Sequence, residues 1–266
     1  MRRTVDARVT CQVGQTADMV WSVAVAHGPV ISDETLAVTV GGVPMVFDEV
    51  AADAGARLHV VRGVPPGPLE LTYHAVVEGQ ADPAEFSTLD DIVYRRPSRY
   101  CDSDTLYPFA SAQFAGLEGK ALLDAVTSWV GGHLAYVPGS SRPIDGAVDT
   151  FLAREGVCRD FAHLVVALLR ARNVPARLVS VFAPGLDPMD FHAVAEAYVE
   201  GAWHVADATG LAPREAMVRI ASGQDTADTA FLSVHAGMCE LQDVVVGAVI
   251  DPALPVDDPR GLVQLR

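Results

Sequence analysis

The chain has 266 residues, of which 50% are apolar and 20% are charged. This composition excludes a disordered protein and predicts a folded chain of one large domain or two modest ones. The formal net charge of −15 gives a surface that repels phosphate backbones and anionic lipids. We therefore expect neither nucleic acid nor membrane among its partners.

The cysteines and the first residues limit the chemistry and the compartment. Cys11, Cys101, Cys158 and Cys239 are widely spaced and form no Cys-X-X-Cys pair. This spacing indicates neither a zinc site nor a disulfide framework, so we expect no metal and no cofactor. The opening stretch MRRTVDARVTCQV lacks the apolar core of a secretory signal, and no apolar run has the length of a membrane span. Free thiols in a reducing cytoplasm are the simplest expectation.

Residues 1–80 are predicted to form a small β-sandwich domain. Apolar residues alternate with mostly polar ones from Val5 to Val13 and again from Leu69 to Val77, which is typical of half-buried antiparallel strands. Residues 81–96 are polar and rich in turn formers, so they are predicted to be a linker. A second domain is then expected over residues 97–266.

The first part of this second domain is expected to be helical. Apolar residues from Leu122 to Val130 recur at helical spacing and predict an amphipathic helix that ends at Gly131 and Gly132. A loop over 136–143 and a short helix over 145–154 are predicted to follow. Further on, Pro213 suits the first turn of a helix that runs to residue 219. Strands over 231–234 and 241–250 are predicted to close the domain.

The helix that follows residue 156 is predicted to be the centre of the domain. Its apolar residues fall at i, i+3, i+4, i+7 and i+8 from Phe161, and small apolar residues widen this stripe on most sides. Pro175 ends the helix, because proline cannot continue one. Cys158 then lies in the first turn, where unpaired N–H groups and the helix dipole favour a thiolate, the reactive form of cysteine. A buried structural cysteine is the alternative.

A β-hairpin is predicted between residues 190 and 210, with Glu200 and Gly201 as its two-residue turn. In this register His192 and Asp207 share one face as diagonal neighbours, within reach of each other. A carboxylate beside a histidine fixes its tautomer and stabilises the imidazolium. A loop one residue longer would put the two side chains on opposite faces, leaving an ordinary edge hairpin.

Three segments resemble the transglutaminase-like superfamily of papain-fold cysteine enzymes, and in particular its bacterial branch. They are GVCRDFAHL from Gly156, DFHAVAEAYV from Asp190 and WHVADATGLAP from Trp203. The resemblance implies an α+β fold, in which a helix carrying the cysteine packs on an antiparallel sheet, preceded by a small β domain. The chain departs from many relatives at Val194, where they have tryptophan, and at Ala208, where they have proline.

The resemblance also implies an activity. Cys158 would be the nucleophile, His192 the general base and acid, and Asp207 the orienting carboxylate, acting on a protein or peptide amide through a thioester. If water resolves the thioester, the protein is a protease or amidase; if a lysine amine does, it is a transglutaminase. The residues leave both open, as they do a non-catalytic protein-binding module on the same fold. One oxyanion donor is expected to be the Cys158 N–H, and Tyr136 and the Ser140–Ser141 pair are expected to line the pocket.

Overall fold

The computed structural model describes all 266 residues as a mixed helix and sheet protein, as predicted. The first six strands are β1 (Arg2–Trp21), β2 (Val30–Val40), β3 (Val43–Pro44), β4 (Asp48–Ala51), β5 (Arg57–Val64) and β6 (Gly67–Glu78). The helices are α1 (Thr88–Val93), α2 (Ser103–Gln113), α3 (Gly119–His133), α4 (Ala147–Ala153), α5 (Cys158–Ala171) and α6 (Thr226–Thr229). The remaining strands are β7 (Ala135–Tyr136), β8 (Glu155–Gly156), β9 (Ala176–Phe182), β10 (His192–Val199), β11 (Ala202–Ala206), β12 (Val218–Gly223) and β13 (Leu232–Asp251). No helix is long and apolar enough to span a bilayer.

The N-terminal part is a seven-stranded sheet organised around β1. Its strand order is β3-β2-β6-β1-β5-β4, and β13 pairs with β1 as well. The β1–β13 pairing is antiparallel and runs from Arg2 opposite Asp251 to Trp21 opposite Leu232. The predicted division of the chain into two domains at residues 81–96 stays a prediction. The predicted position of the last strand, by contrast, is wrong. Strand β13 was expected to close the second domain, and it lies instead in the N-terminal sheet.

The second part contains a four-stranded antiparallel sheet with the order β11-β10-β9-β12, and α5 packs on it. Twelve of the 14 residues of α5 are buried, and its apolar side chains form a core with α2, α3, α4 and β10. The predicted central helix is therefore confirmed. The helix predicted from Pro213 to residue 219 is wrong, because only a short 3-10 turn, Arg214–Ala216, precedes strand β12.

The two parts share a hydrophobic core. Phe182, Val218 and Ile220 come from the second sheet, yet they are buried in the same cluster as Val9, Leu71 and their neighbours in the N-terminal sheet. The predicted linker also packs closely: the ring of Phe86 stacks on Tyr198 with a centroid distance of 3.6 Å. Contacts of this kind fix the N-terminal sheet against the strands that carry the site described below.

Helix α3 does not end at its two glycines but continues through them to His133. The reason for Gly131 lies in packing: a Cβ atom there would be only 2.6 Å from the carbonyl oxygen of Ala208. Gly131 therefore permits a close approach between α3 and the backbone that follows β11. At Gly132, by contrast, a Cβ atom would meet no atom within 4 Å.

Candidate active site

The first turn of α5 is held by a buried carboxylate. The side chain of Asp160 accepts a hydrogen bond from the backbone N–H of Val157 at 2.8 Å and another from the Ser141 hydroxyl at 2.9 Å. It is 1% exposed. These bonds satisfy a backbone donor at the helix start and tie the 137–146 loop to it. Cys158, the first residue of the helix, is half-buried beside this loop.

The β10–β11 hairpin has the predicted register. Val199 lies opposite Ala202, and the pairing continues to Ala195 opposite Ala206. The turn residues Glu200 and Gly201 have φ values of 50° and 79°, as a two-residue turn with both central residues left-handed requires. The first residue of β10 and the residue after β11 consequently face each other at the open end of the hairpin.

These two residues are His192 and Asp207, and they are hydrogen-bonded. Nε2 of His192 is 2.9 Å from Oδ2 of Asp207, and the two side chains are 0% and 2% exposed. The other carboxylate oxygen accepts bonds from the backbone N–H and the hydroxyl of Thr209, at 2.9 and 2.6 Å. Burial would raise the pKa of Asp207, but His192 and the Thr209 donors lower it below its usual range. The carboxyl group is therefore ionised.

The imidazole of His192 also lies close to the Cys158 side chain. Its second nitrogen, Nδ1, is buried and has no hydrogen-bond partner. Burial by itself would lower the pKa of His192, but the Asp207 carboxylate and the Cys158 side chain together raise it to about 10. The ring therefore carries a proton on both nitrogens at neutral pH: Nε2–H donates to Asp207, and Nδ1–H remains available as a second donor. The structure thus brings Cys158, His192 and Asp207 together; their catalytic roles stay a prediction.

Tyr136, on β7, lies next to Cys158. Burial, the Cys158 side chain and nearby Asp190 raise the pKa of Tyr136 to about 12, whereas the nearby Cys158 backbone N–H opposes this rise. The hydroxyl is therefore protonated at neutral pH and remains a donor. Of the other residues expected in the pocket, Ser141 holds Asp160, and Ser140 donates to the carbonyl of Val137 within its own turn.

The other titratable candidates lie in structural positions. His163 is completely buried, its Nε2 accepts a hydrogen bond from the Thr226 backbone N–H at 3.2 Å, and burial lowers its pKa to about 3. Burial is also the main cause that raises the pKa of the Cys11 and Cys101 thiols to about 12, which makes them poor nucleophiles. No group of three His, Cys, Asp or Glu side chains is arranged to hold a metal ion.

The fold and this site are those expected of a papain-fold cysteine enzyme. Comparisons with known proteins agree with this expectation. The family model of the transglutaminase-like superfamily matches residues 115–208. A crystal structure of a candidate cysteine protease from Cytophaga hutchinsonii is 31% identical and superposes with a TM-score of 0.89. The match covers 99% of this chain and 96% of that one. The chain belongs to the transglutaminase-like superfamily.

Curated relatives match over shorter segments. An uncharacterised protein of Mycobacterium leprae is 28% identical over 121 residues, which cover 42% of this chain and 43% of that protein. An uncharacterised protein of Mycobacterium tuberculosis is 44% identical over 59 residues, which cover 20% of this chain and 19% of that protein. The matched segments therefore span less than half of these relatives.

Proposed function

We propose that the protein is a cysteine-dependent acyl-transfer enzyme that cleaves an amide bond of a protein or peptide through a thioester intermediate. The observation that carries the proposal is the arrangement around His192. One ring nitrogen is bonded to the buried Asp207 carboxylate at 2.9 Å, and the other is unpaired on the side of Cys158. A nucleophile, a base and a group that orients the base are the parts that covalent catalysis requires.

The steps follow from this arrangement. Nδ1 of His192 holds the proton taken from the Cys158 thiol, and the sulfur attacks the amide carbon, forming a C–S bond and a tetrahedral oxyanion. Nδ1 then gives the proton to the leaving amine as the C–N bond breaks, which leaves a thioester. An acceptor attacks the thioester carbon and passes its proton to Nδ1, the C–S bond breaks to release the acyl product, and the starting pair of sulfur and protonated ring is restored. Asp207 holds the ring in place and stabilises the imidazolium throughout.

Two donors are suitably placed for the oxyanion. The backbone N–H of Cys158 stands at the start of α5, where the helix dipole also favours negative charge. We assign the second donation to the hydroxyl of Tyr136, which interacts with that same N–H and with the thiol. The oxygen of a substrate amide would take over both donors when it enters. The sequence did not identify Tyr136 as this donor, because only the folded loop brings it to Cys158.

We favour water as the acceptor. The Cytophaga hutchinsonii relative, which matches over nearly the whole chain, is described as a candidate cysteine protease. Transfer to an amine uses the same three residues and remains the alternative. Incubation of amide-containing peptides with and without a primary alkylamine separates the two by mass. Water gives a peptide acid under both conditions, whereas amine transfer gives a peptide–amine adduct only when the amine is present.

The reactive pair is tested without any substrate. The folded protein is treated with limiting iodoacetamide at about pH 6, and alkylation is followed by intact mass in wild type, Cys158→Ala and His192→Ala. We expect one rapid label that requires Cys158 and slows strongly without His192, because a thiolate reacts far faster than a thiol. If Cys158 labels no faster than Cys239, the proposal fails and a non-catalytic binding module is favoured.

A further inference from the structure

A cavity opens beside the two reactive side chains. It has a volume of about 540 Å³, within the usual range for ligand sites, and both Cys158 and His192 line it. The rest of its wall comes from separate parts of the chain. Ser22 follows strand β1 of the N-terminal sheet, Leu178 and Ile220 lie on the second sheet, and residues 226–233 connect the two sheets. The cavity therefore lies where the two parts of the molecule meet.

The wall of the cavity is mainly apolar. The rings of Phe191 and Phe231 stack with their centroids 5.4 Å apart, and Leu178, Ile220 and Leu232 add aliphatic surface. Apart from His192, only two lining residues carry a charge. The guanidinium of Arg159 is bonded to Ser141 and to the carbonyl of Arg142. The Asp190 carboxylate accepts a hydrogen bond from the Phe191 N–H and is in no ion pair.

This charge distribution selects against acidic occupants. An acidic side chain that entered the cavity would lose its hydration and find only Arg159, which already lies 3.5 Å from Asp160, and this loss is costly. A large apolar side chain would instead remove apolar wall from water and gain free energy. The net charge of −15 increases the preference for apolar over acidic side chains, because the protein as a whole repels an acidic side chain.

We infer that this cavity is the subsite for a large apolar side chain on the acyl side of the scissile amide. The inference rests on the proposed function. It gives the N-terminal sheet a direct role in recognition, because Ser22 lies in the wall and its N–H donates to the carbonyl of Phe231 at 3.0 Å. The substrate class is a polypeptide segment with an aromatic or bulky aliphatic residue at this position.

The test uses dipeptidyl chloromethyl ketones that differ only in the residue next to the reactive carbon: phenylalanine, leucine, alanine, aspartate or lysine. The Cys158 sulfur displaces chloride, so labelling reports on binding without requiring turnover. We expect the phenylalanine and leucine reagents to label at least tenfold faster than the alanine reagent, since a hydrophobic pocket discriminates about 10- to 200-fold. The aspartate reagent should be the slowest.

Variants and a small reagent separate the possible failures. Phe231→Ala should lower the preference for the phenylalanine reagent over the alanine reagent about tenfold. Phe47 packs in the same core but lies outside the cavity, so Phe47→Ala should leave this preference unchanged. Equal rates for the aspartate reagent and the apolar reagents would overturn the inference, provided that iodoacetamide still labels Cys158 rapidly. Slow labelling by iodoacetamide would instead refute the proposed function.

Discussion

Gly131 and Gly132 are adjacent in α3, and the structure predicts opposite effects of alanine at the two positions. At Gly131 the new Cβ would be 2.6 Å from the Ala208 carbonyl oxygen, against about 3.4 Å for an ordinary contact, so one of the two must move by about 0.8 Å. At Gly132 nothing lies within 4 Å. Both variants gain roughly 0.5–1 kcal/mol from replacing a helical glycine. Only Gly131→Ala bears the overpacking cost, about 1–3 kcal/mol.

The difference between the two variants therefore isolates the close approach to Ala208. We expect the Tm of Gly132→Ala to rise slightly and that of Gly131→Ala to lie roughly 2–12 °C below it, taking about 2–4 °C per kcal/mol. Thermal unfolding followed by circular dichroism measures both. Equal Tm values for the two variants would show that α3 does not press on this backbone, and the packing argument would be refuted.

The same pair of variants tests whether this contact supports the reactive site. Ala208 directly follows Asp207, so a shift of its carbonyl strains the 2.9 Å bond between Asp207 and His192. We expect Cys158 in Gly131→Ala to react more slowly with iodoacetamide at about pH 6, and Cys158 in Gly132→Ala to react at the wild-type rate. If Gly131→Ala unfolds at lower temperature yet labels at the wild-type rate, the strain is absorbed by α3 and not by the hairpin.

Three further predictions concern charges and donors. Asp207→Asn should slow alkylation of Cys158 at about pH 6 by about 30- to 160-fold, because a charge-assisted bond of about 2–3 kcal/mol is lost; Asp48→Asn, an exposed ion-paired control, should not slow it. Tyr136→Phe should lower peptide turnover about 100-fold or more by removing an oxyanion donor. The same substitution should slow alkylation of Cys158 less than tenfold, because alkylation forms no tetrahedral oxyanion. Equal losses in peptide turnover and in alkylation would argue against Tyr136 as an oxyanion donor. Burial would raise the pKa of Glu196, but Arg219 and Arg177 lower it to about 2 from an unfolded value of 4.5. Its contribution to stability is thus complete above pH 4.5 and lost as the pH falls toward 2. The Tm gap between wild type and Glu196→Gln should accordingly narrow over that range, and a constant gap would contradict the assignment.

Local signals in the sequence were enough to predict the parts that carry the reactive groups. The apolar stripe of α5 gives its position and its buried faces, because period and burial are linked in a helix. The register of the β10–β11 hairpin follows from its two-residue turn, and with it the shared face of His192 and Asp207. Each of these features depends on residues that are close together in the chain.

Features that depend on distant segments were not predictable in this way. The apolar run from Val244 to Ile250 indicates a strand at the end of β13, but it does not identify β1 as the partner of that strand. The helix predicted from Pro213 to residue 219 ran into the start of β12, because Pro213 suits a helix start, although Val218 and Ile220 are buried against the N-terminal sheet. The side chains that approach one another only after folding, such as Tyr136 and Cys158, leave no spacing signal in the sequence.

The proposed reaction and the proposed recognition depend on different parts of this chain, although neither part is independent of the other. The side chains proposed for the chemistry lie between Tyr136 and Asp207, whereas the cavity beside them also needs Ser22 and Phe231. Because the N-terminal sheet shares its core with Phe182 and Ile220, its removal would expose side chains that each stabilise the fold by about 1.5–3 kcal/mol. Substitutions in the cavity wall should therefore change which peptide is selected and leave the thiol–imidazole pair in place, whereas truncation would damage both.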